Sequence, residues 1–135
     1  SGETITLNGL RGKKVVLYFY PKDSTPGCTK ESCDFRDHFA AFEQRGALVF
    51  GVSRDSAASH QKFKEKCQLP FSLLIDDKSN ACHAYGVVKE KSLFGKTFLG
   101  VNRSTFLIDE KGCIRAIWKS VKVPGHVEKV LNELS

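Results

Sequence analysis

Residues 15–35 read VVLYFYPKDSTPGCTKESCDF, and the fold turns on this stretch. The run Val15–Tyr20 is continuously apolar, as expected of a central strand buried on both faces. Pro21 ends it, since proline cannot donate to a ladder. A short polar turn follows, and Pro26-Gly27-Cys28 opens a helix. A buried strand, a tight turn and a helix that begins on a cysteine make a site for thiol chemistry.

The reason lies in the sulfur anion. The thiolate is the nucleophile, and an ordinary free thiol titrates near ~8.5, so most of it is idle at neutral pH. The first turn of a helix offers unpaired N–H groups and a partial positive charge. Bringing a thiol from ~8.5 to ~5.5 takes about 4 kcal/mol. A helix terminus supplies roughly 0.3–1 kcal/mol, and about 2 in good geometry. A reactive thiol here therefore needs a cation from elsewhere. The candidates are Arg11, Arg36, Arg45, Arg54, Arg103 and Arg115.

Cys33 follows Cys28 as C-x4-C. In one regular helix their Cα atoms lie roughly 8.7 Å apart. A disulfide needs about 4.4–6.8 Å. The pair can close only if helix unwinds: the reduced form is folded there, the oxidised form locally unfolded. Cys28, Phe35, Phe39 and Phe42 share one helical stripe, whereas Cys33 faces the side of Lys30 and Asp37.

Working outward, Thr4–Leu7 reads as a short edge strand, with turns at Asn8-Gly9 and Gly12. The helix from Cys28 runs to Arg45 and ends at Gly46. Ala47–Ser53 is the next strand, and Ser53–Ser56 is a turn that caps a helix from Ala57 to Cys67. His60, Phe63 and Cys67 form its inner face. Phe71–Ile75 is a third strand, Asn80–Tyr85 a short helix stopped by Gly86, and Val87–Asn102 a long connection. Thr105–Ile108 and Ile114–Trp118 form a hairpin about residues 109–112. Pro124-Gly125 opens a last helix with Val127, Val130, Leu131 and Leu134 inward. The class is α/β, a mixed central sheet flanked by helices on both faces, in a single domain over residues 1–135. In such sheets the site lies beyond the carboxyl ends of the parallel strands. If Thr105–Ile108 runs antiparallel to Val15–Tyr20, its beginning meets that edge. Arg103 is then the arginine nearest Cys28, and the Val87–Asn102 connection lies close by.

Composition excludes several classes. No apolar run reaches the ~18 residues of a membrane span. The net charge of +6 raises the question of nucleic acid, but the lysines are scattered. The densest group, Lys62, Lys64 and Lys66, lies on the solvated face of an amphipathic helix, so no nucleic-acid partner is expected. Five cysteines form no even secreted framework and fit a reducing, cytoplasmic compartment. Cys28, Cys33 and His38 lack the paired spacing of a zinc site, and no phosphate-loop or dinucleotide fingerprint occurs; no metal or cofactor is expected. Cys67, Cys82 and Cys113 read as structural, with Cys82 as the reserve should Cys33 not be the partner of Cys28.

The string Pro21-x3-Thr25-x2-Cys28 resembles the active-site motif of the peroxiredoxins. The longer match YFYPKDSTPGCTKESCDFRD, with Cys33 five after Cys28, resembles the bacterioferritin-comigratory (PrxQ) subfamily, as does the distant segment Arg103–Asp109, RSTFLID. The resemblance implies a thioredoxin-like fold and a further segment ahead of Ser1 with a G-x-x-A-P-x-F pattern. It implies a peroxidase of hydrogen peroxide and alkyl hydroperoxides. In it Cys28 is the peroxidatic thiol that becomes a sulfenic acid, and Cys33 is the resolving thiol that closes the disulfide. By the same likeness Thr25 orients peroxide and sulfur, Pro21 shields the site, and Arg103 holds the thiolate and the peroxide oxygens. It further implies a monomer recycled by thioredoxin or a similar dithiol. Two other readings remain: a disulfide reductase or oxidase on the same fold, disfavoured by the four-residue spacer, and a redox-sensing or basic binding module with the disulfide as a switch.

Overall fold

The computed structural model describes residues 12–76, 78 and 80–134. The strand expected at Thr4–Leu7 lies outside them. Seven strands and five helices follow in the order β1 (Lys14–Phe19), α1 (Pro26–Asp37), α2 (Phe39–Gln44), β2 (Ala47–Ser53), α3 (Ala57–Cys67), β3 (Leu73–Ile75), α4 (Asn80–Ala84), β4 (Val88–Leu93), β5 (Lys96–Val101), β6 (Ser104–Ile108), β7 (Ile114–Lys119) and α5 (His126–Glu133).

Five strands form one sheet in the order β3-β2-β1-β6-β7. β1 pairs parallel with β2, and β2 with β3; β6 runs antiparallel to both β1 and β7. β1 sits at the centre because its alternate side chains feed two cores. Val16, Tyr18 and Tyr20 pack with Phe35, Phe42, Phe63, Val127 and Val130 of α1, α2, α3 and α5. Val15, Leu17 and Phe19 pack with Cys82, Val87, Val101 and Phe106 on the opposite face. The mixed sheet with helices on both faces is thus present as expected. Gly51 on β2 admits the Tyr18 ring: a Cβ there would stand 2.8 Å from its hydroxyl. Among the described residues no helix is long and apolar enough to cross a membrane.

Three expectations are corrected. The helix expected over Cys28–Arg45 is two helices, broken at His38 (φ −104°, ψ 7°). Nδ1 of His38 lies 2.9 Å from the Asp34 carbonyl and competes for the backbone of that turn. The connection expected over Val87–Asn102 is an antiparallel ribbon, β4–β5, paired from Val88↔Val101 to Leu93↔Lys96. Phe94 and Gly95 turn it with φ of +53° and +77°, a mirror-image turn that suits strand twist. Cys113 is exposed in the β6–β7 turn rather than serving the core.

Candidate active site

The β1–α1 turn carries the chemistry. β1 delivers the chain to Pro21, and Ser24 takes a left-handed φ of +63° to reverse it. Thr25 is the N-cap by its extended backbone, and its hydroxyl donates to the Lys22 carbonyl at 2.8 Å. The first intrahelical bond runs from the Thr29 N–H to the Thr25 carbonyl. The Cys28 N–H therefore belongs to the first turn, whose donors have no helical acceptor. The Cys28 side chain is fully buried.

Arg103, just before β6, reaches the same spot. Its Nη2 lies 3.4 Å from Cys28 Sγ. The antiparallel pairing of β1 with β6 is what brings it there, as the sequence led one to expect. Gly27 makes room for the guanidinium: a Cβ at this position would stand 3.0 Å from Nη2. Glu31 holds the other arm, accepting from Nη1 at 2.7 Å. Burial opposes the Arg103 charge, but Glu31 and then Cys28 outweigh it and raise the guanidinium's pKa.

Glu31 was not read from the sequence. Its side chain is wholly buried, and its second oxygen, Oε2, has no hydrogen-bond partner among the described residues. Burial pushes its carboxyl up to about 7 despite Arg103. The available signal was its position, three residues after Cys28 and beside the apolar stripe. Lys91 on β4 was missed as well. Its stem crosses Gly100 on β5, where a Cβ would stand 2.8 Å from Lys91 Cδ. Burial and then the charge of Arg103 pull its ammonium down, while Cys28 opposes that, so Lys91 shares the field around the sulfur.

A second network supports the turn from below. Asp23 accepts from Tyr20 at 2.5 Å and from Ser59 at 2.8 Å, and its Oδ2 lies 2.7 Å from His60 Nδ1. Its own N–H donates to Asp55 Oδ2 at 2.8 Å. His60 Nε2 lies 2.9 Å from the Leu74 carbonyl, so both ring nitrogens have acceptors and the imidazolium is satisfied. Burial works against both charges. Hydrogen bonding to the partner prevails, lowering the Asp23 carboxyl and raising His60.

Removing one partner of a buried pair typically costs about 3–5 kcal/mol. Both side chains are buried, but asparagine keeps part of the hydrogen bonding, so Asp23→Asn should lower stability by about 2–3 kcal/mol near pH 6. The sign with pH follows. The Asp23 contribution is present above the unfolded value of 3.8 and lost as pH falls through its lower folded one. The His60 contribution is complete below 6.5 and lost as pH rises through its higher folded one. Denaturation midpoints of wild type and variant should therefore differ most between about pH 4 and 6.5, and the gap should narrow as pH rises further and His60 loses its proton. A gap that widens with alkalinity would refute the pairing.

Cys33 is half-buried and lies off the Cys28 stripe, as expected. It does not simply face the Lys30–Asp37 side, because it packs into the core cluster that contains Cys67. Cys82 lies on the opposite sheet face, where burial and the Asp76 carboxylate push its thiol up to about 12. That position removes it as the reserve partner of Cys28 in the folded state.

Comparison with known proteins gives the chain a family and close relatives. Residues 1–117 match the model of the AhpC/TSA family. Peroxiredoxin Bcp of Bacillus subtilis is 52% identical over 133 residues, covering 98% of this chain and 85% of the relative. Peroxiredoxin Bcp of Escherichia coli is 41% identical, covering 98% and 85%. A solved structure of the Xanthomonas campestris bacterioferritin comigratory protein, described for its alkyl peroxide reduction activity, superimposes with a TM-score of 0.92. It is 45% identical and covers 96% of this chain and 83% of that one.

Proposed function

The chain belongs to the AhpC/TSA family and is a thiol-dependent peroxidase, and from that premise we propose that Cys28 is its peroxidatic thiol and Cys33 its resolving thiol. The observation that carries this reading is the 3.4 Å approach of Arg103 Nη2 to Cys28 Sγ at the start of α1. The Cys28 thiolate attacks the distal oxygen of hydrogen peroxide or an alkyl hydroperoxide. The O–O bond breaks, water or alcohol leaves, and Cys28 becomes a sulfenic acid. Arg103 balances charge on sulfur before the attack and on the peroxide oxygens during it. Thr25 orients the peroxide and Pro21 shields the turn from water. Cys33 then attacks the sulfenic acid, water leaves, and a Cys28–Cys33 disulfide forms.

Both cysteines lie inside the unbroken part of the helix, α1, so that disulfide requires α1 to unwind. A dithiol donor, thioredoxin or one like it, restores both thiols. The peroxidase acts as a monomer in the cytoplasm, in antioxidant defence. The presence of both thiols on one helix supports a single-chain cycle, and the odd number of cysteines supports a reducing compartment.

One equivalent of hydrogen peroxide tests the cycle. Disulfide mapping by mass spectrometry should find Cys28 joined to Cys33 at early times. Circular dichroism should show loss of helix that added dithiol reverses. A lasting sulfenic acid on Cys28 with Cys33 free would defeat the resolving role.

A further inference from the structure

Cys67 ends α3 on the side that faces α1, and it is nearly buried. Cys33 packs into the same cluster from α1. The two helices are fastened beside these sulfurs by Arg36, three residues after Cys33, whose Nη1 donates to the Cys67 carbonyl at 2.7 Å. Neither Cys82, on the far side of the sheet, nor Cys113, in the β6–β7 turn, has such a position.

We infer that Cys33 and Cys67 are a second thiol pair, and that Cys67 takes the disulfide over from Cys28. The inference rests on the reading of Cys33 as the resolving thiol. In the step, the Cys67 thiol gives its proton to water and its sulfur attacks Cys33 Sγ. The Cys28–Cys33 bond breaks, a Cys33–Cys67 bond forms, and Cys28 leaves as a thiolate beside Arg103. One disulfide is consumed and one is made, so the exchange itself needs no oxidant or reductant. The donor dithiol later reduces the Cys33–Cys67 bond through Cys33, the more exposed sulfur.

Three observations give the exchange its direction. The Cys28–Cys33 bond forces α1 to unwind, whereas Cys33 and Cys67 lie on separate helices that already touch. Transfer therefore lets the first turns of α1 re-form around Cys28. Once α1 re-forms, Arg103 and the helix start hold the released Cys28 thiolate, which favours the transfer at equilibrium. In the reduced protein, burial and then the neighbouring Cys33 hold the Cys67 thiol up, while Arg36 opposes. Once Cys33 is in a disulfide, that neighbouring thiol no longer opposes ionisation of Cys67. Fully buried Phe35 holds the end of α1 in the core, and Arg36 holds it on α3, while its start unwinds.

The test is a time course. Wild-type protein is treated with slightly less than one equivalent of hydrogen peroxide, quenched in acid at intervals, alkylated and mapped. Cys28–Cys33 should appear first and convert to Cys33–Cys67, which settles at an excess of about tenfold, what one or two recovered helical hydrogen bonds supply. The helical signal should be lost and regained over the same interval. In Cys67→Ala the Cys28–Cys33 bond and the helix loss should persist until dithiol is added. In Cys28→Ser, diamide without peroxide should join Cys33 to Cys67, which tests the pair even if Cys67→Ala folds poorly. Wild type that keeps Cys28–Cys33 as its lasting disulfide would overturn the transfer and leave Cys33 as resolving thiol. Persistent Cys28 sulfenic acid in both wild type and Cys67→Ala would overturn both readings. Failure of the Cys33–Cys67 bond in Cys28→Ser would overturn the pair.

Discussion

Cys28→Ser should end peroxide turnover, with kcat/KM falling by more than about a thousandfold, because the nucleophile itself is gone. A serine hydroxyl stays protonated at neutral pH and is a weak nucleophile there. The fold should survive. Oxygen for sulfur is a small change of volume, and the new hydroxyl faces Arg103 Nη2, a donor 3.4 Å from the present sulfur. The thermal midpoint should therefore move by only a few degrees. Cys33→Ser is the companion variant. It should consume about one equivalent of peroxide, stop as the Cys28 sulfenic acid, and turn over again only with an external thiol. Stopped-flow peroxide consumption separates the two. A Cys28→Ser protein that kept a tenth of wild-type activity would mean another sulfur does the chemistry, and the site would have to be sought elsewhere.

What could be read before the structure depended on where the signal resides. The bounds of β2 and α3 were legible because their own residues mark them. Gly46 takes a φ of +74° ahead of β2, and the Ser56 hydroxyl accepts from the Ser59 N–H at the start of α3. Arg103 was legible because strand direction alone carries it to the edge where β1 ends. The break at His38 was not, since no glycine or proline interrupts that stretch and a side chain reaching back to Asp34 ends the helix. The ribbon hid behind Gly95 and Gly100, which look alike in sequence. One turns the hairpin with positive φ, and the other sits mid-strand to let Lys91 pass. Glu31, the Asp23–His60 pair and the contact of Cys33 with Cys67 are matters of packing between distant elements. Charge in the core is tolerated only with a partner, and sequence does not name the partner.

Arg103→Gln should lower kcat/KM by about 10²–10³-fold, the cost of losing one charged or hydrogen-bonding group that stabilises a developing anion. Glutamine keeps a donor but neither the charge nor the fork. Arg103 uses one arm on Cys28 at 3.4 Å and the other on Glu31 at 2.7 Å, so Arg103→Lys, which retains charge on a single head, should recover only part of the activity. The same variant carries a second signature through Glu31. Its folded carboxyl titrates at about 7, above the ordinary 4.5, so its contribution to stability is complete below 4.5 and lost as pH rises through 7. Without Arg103 the buried carboxyl has no cation and its titration moves higher still. Loss of stability with rising pH should then continue past neutrality in Arg103→Gln, where wild type has levelled off. Adding Glu31→Gln should remove that alkaline loss without restoring turnover. Peroxidase kinetics and denaturation midpoints between pH 5 and 9 read the two effects on the same protein. Turnover within threefold of wild type in Arg103→Gln would remove the arginine from the reaction. Parallel pH profiles for the two proteins would remove its hold on Glu31.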